Sequence, residues 1–169
     1  NGELDFIENL PVDEVATYLA SGELNIADYI GTYYVCFNTE NEVFSDPAIR
    51  KAFSLVIDRN YIVDNVTQSG EVPATGYVPS GIYDADGASG DDFRTVGGEY
   101  YSVSEDDYEK NCEEARQILA DAGYPDGEGF PTVEYLYNTD DKHKKIAEAL
   151  QNMWQKELGV TVNLDNQDW

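Results

Sequence analysis

His143 is the only histidine in the chain, and it follows Tyr137-Asn138-Thr139-Asp140, where an alternating run gives way to a long amphipathic one. A strand end that feeds a helix N-terminus leaves N–H groups unpaired at the positive end of the helix dipole. That is a setting for a carboxylate ligand. An imidazole there adds a donor that can charge near neutral pH. On residues alone, the plainer reading is a surface histidine among Lys142, Lys144 and Lys145 that tunes solubility. Tyr29, Tyr34 and Trp169 form a second group, because amphipathic aromatics pack against varied side chains and still hydrogen-bond. Tyr33 alternates with Tyr34 and reads as a half-buried core residue.

Catalysis finds little to work with. No Ser or Cys has a recognisable elbow or base partner, and 34 Asp+Glu make chance carboxylate pairs inevitable. No phosphate-cradling or dinucleotide motif occurs, and no cofactor is expected. The DADGASGDD stretch invites calcium, but Asp84, Asp86 and Gly87 do not supply the ligand spacing of a helix–loop–helix site, so it reads as a solvated acidic loop. Cys36 and Cys112 lie in separate segments and are expected as two separate buried thiols; no Cys/His cluster points to zinc.

The balance of 10 Lys+Arg against 34 Asp+Glu gives a net charge of −24. Such a surface repels phosphate backbones and anionic headgroups, which argues against nucleic acid and membrane surfaces as partners. Hydrophobic residues at 41% and 13 tyrosines supply enough apolar area to oppose disorder. A chain of 169 residues is expected to form one domain, soluble and without a bilayer span.

The elements that would position these residues alternate. Residues 2–7 could form a strand, and 11–21 a short helix with Val12, Val15, Ala16 and Leu19 on one side. Residues 29–37 read as a strand rich in aromatics. Ser45 or Asp46 can cap a helix that has Pro47 at its first position and buries Ile49, Phe53, Val56 and Ile57. Residues 60–68 read as a shorter helix ended by Gly70, and 71–99 as a long ordered loop. Ser104 with Asp107 resembles a shifted capping box before a helix carrying Tyr108, Cys112, Ala115 and Leu119 on one face. Strands are expected at 132–137 and 160–164. Between them lies the longest helix, 140–158, with Ile146, Leu150, Met153, Trp154 and Leu158 in line and Gly159 ending it. The fold class is therefore α/β.

GTYYVCFN at 31–38 followed by SDPAIRKAFSLVIDR at 45–59 resembles the solute-binding proteins of oligopeptide and dipeptide ABC transporters. The match runs through Asp46, Pro47, Ile49, Arg50, Ala52, Leu55, Ile57, Asp58 and Arg59. ATGYVPSG at 74–81, YNTDDKHKKIA at 137–147 and LGVTVNLDNQDW at 158–169 keep the family's order.

The resemblance implies one lobe of a type II periplasmic-binding-protein-like fold, with a mixed sheet and packed helices. Family members are longer and two-lobed, so residues 1–30 are expected to end the first lobe and cross over. Residues 31–169 then form the second, ligand-binding lobe, incomplete at its C-terminal end. The implied function is capture of an oligopeptide in an interlobe cleft and delivery to the permease subunits of an importer. The implied location is extracytoplasmic, either periplasmic or as a cell-surface lipoprotein. Oligosaccharides or metal chelates are the alternative ligands, and an acid hydrolase domain the alternative of another class.

By resemblance, Asn138 and His143 face the cleft, the histidine receiving the peptide's carboxyl end, while Tyr29, Tyr34 and Trp169 border side-chain pockets. Cys36 stands at a ligand-facing position where some members carry an acidic residue, and Thr67 where a basic residue can serve very short peptides. Both depart from the family's charged patterns. Sheet edges left unpaired in such a fragment are expected to drive self-association.

Overall fold

The computed structural model of the chain describes residues 5–7 and 10–168. Its first regular element is helix α1, Val12–Ser21, closed by Gly22 in a left-handed conformation (φ 77°) that no side chain adopts cheaply. Of the expected stripe only Val15 is buried. Helix α2, Pro47–Leu55, starts as its sequence dictates: Asp46 accepts the Ala48 amide at 2.8 Å, and proline takes the first position.

After α2, the short helix α3, Arg59–Tyr61, runs directly into a π-helical turn, Ile62–Thr67. The turn ends at Gln68 in the left-handed region (φ 52°), two residues before the expected stop at Gly70. Residues 71–99 are mostly irregular, with a 3-10 turn at Gly87–Ser89 and a short helix α4, Phe93–Val96. Helix α5, Tyr108–Asp121, follows a 3-10 turn at Glu105–Asp107. The capping box expected there is not formed: the Ser104 side chain makes no cap bond, and only its carbonyl meets the Asp107 amide.

Strand β1, Val133–Asn138, helix α6, Asp141–Leu158, and strand β2, Val162–Gln167, make a β–α–β unit. The strands pair in parallel, Val133 opposite Val162 through Asn138 opposite Gln167. Parallel neighbours require a crossover, and α6 provides it. Gly159 closes α6 at φ 69°, where its backbone meets that of Gly127: a Cβ on Gly127 would stand 2.5 Å from the Gly159 carbonyl carbon. Bare backbone is required on both sides of that crossing.

The core gathers where α2, α5, α6 and β2 converge. Phe53, Cys112, Leu119, Trp154, Leu158 and Val162 are all buried. Phe53 is central, with its ring centroid 5.1 Å from Phe44, 5.6 Å from Phe130 and 5.6 Å from Trp154. The Trp154 indole N–H donates to the Phe53 carbonyl at 2.9 Å, so its one polar atom enters the core satisfied.

Residues 29–37 are not a strand. None of their backbone groups is hydrogen-bonded to another backbone group among the described residues. Composition favours extension there, but a strand exists only as half of a ladder. Cys36 is consequently exposed rather than buried, while Cys112 is buried; both are free thiols. Of the strand expected at 2–7, residues 2–4 lie outside the described residues and 5–7 are irregular.

Candidate functional site

The β1–α6 junction is built by one capping residue. Asp140, extended at φ −162°, accepts the His143 amide at 3.0 Å, which starts α6 directly after the strand end. Among the described residues the amides of Asp141 and Lys142 have no protein partner. Half-buried Asn138 ends the strand just before this turn, opposite Gln167.

The His143 imidazole lies over Tyr33, ring centroids 5.4 Å apart at 30°, with Tyr33 Oη 2.8 Å from Nδ1. A neutral imidazole carrying its proton on Nε2 accepts from the phenol; a protonated one donates to the phenol oxygen. Burial, and after it the neighbouring Tyr135, push the Tyr33 phenol well above its ordinary range, so it stays protonated in either case. Tyr33 does alternate with Tyr34, but its face meets the head of α6 rather than the core, and the tyrosine is half exposed. It is the site residue that local pattern missed. A phenol needing a partner was the one available signal.

Each lysine of the α6 head is neutralised by a carboxylate. Lys142 meets Glu71 at 2.5 Å, Lys144 lies 3.9 Å from Glu148, and Lys145 pairs with Asp13 of α1. Glu71 also accepts from the Thr67 hydroxyl at 2.8 Å and the Ser69 amide at 3.1 Å. Burial alone would raise the Glu71 carboxyl, but the bonds from Lys142 and Thr67 outweigh it and hold the group below its usual range. Thr67, buried at the end of the π-turn, is thus spent on a structural bond. With the lysines engaged, His143 and the free amides are what this corner offers an anion.

Tyr34, Cys36 and Tyr29 lie along the extended segment. Tyr34 stands edge-on to Tyr77, centroids 5.0 Å apart at 70°. Tyr77, and then Cys36, raise the Tyr34 phenol above its ordinary value. Tyr29 is 90% exposed and apart from the others. Trp169 lies outside the described residues. The structure therefore joins His143 to Tyr33, and Tyr34 to Tyr77 and Cys36. An open groove of about 520 Å³ between α1, the π-turn and α6 has none of these residues in its lining. Among the described residues no three His, Cys, Asp or Glu converge as metal ligands. No helix there is long and apolar enough to cross a membrane.

Comparison with known proteins bears on what this corner serves. The family described as bacterial extracellular solute-binding proteins, family 5 Middle, matches residues 1–169. The periplasmic oligopeptide-binding protein OppA of Salmonella typhimurium is 36% identical over 172 residues, covering 100% of this chain and 30% of that protein. The dipeptide-binding protein DppE of Bacillus subtilis is 35% identical over 170 residues, covering 100% and 29%. Among solved structures, the murein tripeptide binding protein MppA of Escherichia coli superimposes with a TM-score of 0.80 at 30% identity, over 99% of this chain and 31% of that one. Haemophilus influenzae OppA in complex with RPPGFSPFR gives 0.78 at 30% identity, over 95% and 30%. The α/β arrangement is thus part of the periplasmic-binding-protein type II fold, and the chain spans about 30% of the length of these curated relatives. On this match and these identities, the chain belongs to the bacterial extracellular solute-binding proteins, family 5.

Proposed function

We propose that these residues form one wall of the ligand cleft in the substrate-binding component of an ABC importer, which captures extended peptides outside the cytoplasm and passes them to membrane permease subunits. The carrying observation is the Tyr33–His143 pair at the open head of α6, in a chain 34–37% identical to relatives named for oligopeptides, dipeptides or murein peptides. In this reading residues 1–30 end one lobe and 31–169 belong to the other. His143 and the free amides beside it receive the ligand's carboxylate, with Asn138 at the rim. Tyr29, Tyr34, Cys36 and Trp169 border the ligand's side chains. The protein does no chemistry on its ligand; its work is enclosure and release.

A peptide held between two lobes loses far more surface to burial than one lying on a single wall. The 169-residue chain alone is therefore expected to bind tri- to pentapeptides much more weakly than the full-length protein. In the full-length protein, His143→Ala is expected to weaken binding about tenfold and Tyr33→Phe less, the range for a hydrogen bond to a charged group. Calorimetry checks both. Unchanged affinity at every peptide length would remove His143 from the site. The heme-binding protein A of Haemophilus influenzae, 26% identical over 165 residues, keeps a metal chelate as the second reading. Stoichiometric haem uptake without peptide binding would favour it.

A further inference from the structure

We propose that Tyr77 is a ligand-contacting residue, forming with Tyr34 and Cys36 a pocket wall that selects an uncharged, preferentially aromatic, side chain of the bound peptide. This rests on the peptide-binding reading and adds to it a residue from outside the extended segment. The two rings meet edge to face and remain largely exposed, Tyr34 at 56% and Tyr77 at 62%. A T-shaped pair leaves a ring face open in the corner, where a third ring can complete a herringbone contact. Cys36, two residues beyond Tyr34, is near enough to act on its phenol.

Tyr77 is also held in place. The Arg94 guanidinium donates to the Val78 carbonyl at 3.1 Å and the Gly98 carbonyl at 2.5 Å, and it packs against Gly76 so closely that a Cβ there would collide with it. Asp92 receives the Arg94 amide at 2.8 Å and the Gly81 amide at 2.7 Å. The residues on both sides of Tyr77 are therefore fixed by one arginine, itself fixed by one aspartate. A tyrosine presented to solvent from pinned backbone is preorganised to bind. Arg94 acts here as a positioning residue.

Charge sets the preference. Tyr34, Tyr77 and Cys36 bring two phenols and a thiol to this corner, and none of the three is a carboxylate, an ammonium or a guanidinium. A charged side chain packed against them would lose water without gaining a counter-charge from these three.

The test uses alanine tripeptides in which Phe, Glu or Lys occupies each position in turn, measured by calorimetry on the full-length protein. The expected result is a preference for Phe at one position, which falls about tenfold in Tyr77→Ala and is kept in Tyr77→Phe. The urea midpoint should stay unchanged, as suits an exposed side chain. Peptide binding with no Phe preference, or with a preference that Tyr77→Ala leaves intact, overturns this proposal alone. No binding of any tripeptide overturns it together with the peptide reading.

Discussion

Two regions of comparable aromatic content behave oppositely. Around α2, α5 and α6, Phe53 and Trp154 are wholly enclosed and joined by an indole-to-carbonyl bond. Along residues 29–37, Tyr29, Tyr33 and Tyr34 are half or more exposed, and among the described residues no backbone-to-backbone hydrogen bond holds the segment to another. The first region is closed by its own side chains. The second is tied to the first through Val35 and Phe37, whose ring lies 5.1 Å from Phe44, while its tyrosines present surface that the described residues leave largely uncovered and reach Tyr77 and His143. Stability is concentrated in the first, and on the proposed reading recognition falls to the second, a division that rigid scaffolds carrying exposed binding segments commonly show.

The sharpest way to break this comparison is to truncate one aromatic in each region. Trp154→Ala removes a buried ring and orphans the Phe53 carbonyl, with an expected loss of about 3–5 kcal/mol. Tyr29→Ala, at a ring 90% exposed, is expected to change stability by less than about 0.5 kcal/mol. Urea unfolding followed by circular dichroism reads both. Equal losses would mean that the extended segment is as integral to the fold as the core.

Next in size is the junction between the regions. Asp140→Ala removes the cap that starts α6 and is expected to cost about 1 kcal/mol. Because His143 rides on that first turn, its amide should also lose protection in hydrogen exchange, while Leu150 and Trp154 keep theirs. Uniform loss along the helix would show that α6 melts as one piece and that its head is not separately tuned.

What the sequence disclosed follows the same division. Helix α6 was legible to within a residue because its signals are local, Ile146, Leu150, Trp154 and Leu158 at helical spacing with Gly159 as stop; Asp140, read as the first helical residue, is its cap. The face of α5 through Cys112, Ala115 and Leu119 was legible for the same reason. The strand expected at 29–37 failed because extension is local but pairing is not. Tyr33 was assigned to the core because its partner His143 stands 110 residues away, beyond any periodicity. Tyr77 drew no notice because loop residues carry no pattern at all; only Arg94 and Gly76 in contact reveal that its backbone is fixed. The π-turn at Ile62–Thr67 follows from neither spacing nor a side-chain cap.

The smallest expected effect sharpens the comparison at the Glu71–Lys142 pair, which ties the end of the π-turn to the head of α6. Glu71→Gln keeps a side chain able to meet Thr67 and removes the charge that meets Lys142. The Glu71 carboxyl is held below its ordinary value in the folded protein, so its contribution is present above the unfolded carboxylate range and fades as pH falls through the folded value. Both partners are more than a third exposed, and screening by water limits the pair to less than about 1 kcal/mol. Wild type should therefore exceed Glu71→Gln in urea midpoint at pH 7, and the gap should close as pH is lowered from about 5 toward about 3. Lys142→Met should remove the same pH dependence from the other side. A gap that persists unchanged at low pH would mean that the carboxyl acts as a neutral hydrogen-bond partner of Thr67. The head of α6 would then be anchored by that neutral bond, with no charge joining it to the π-turn.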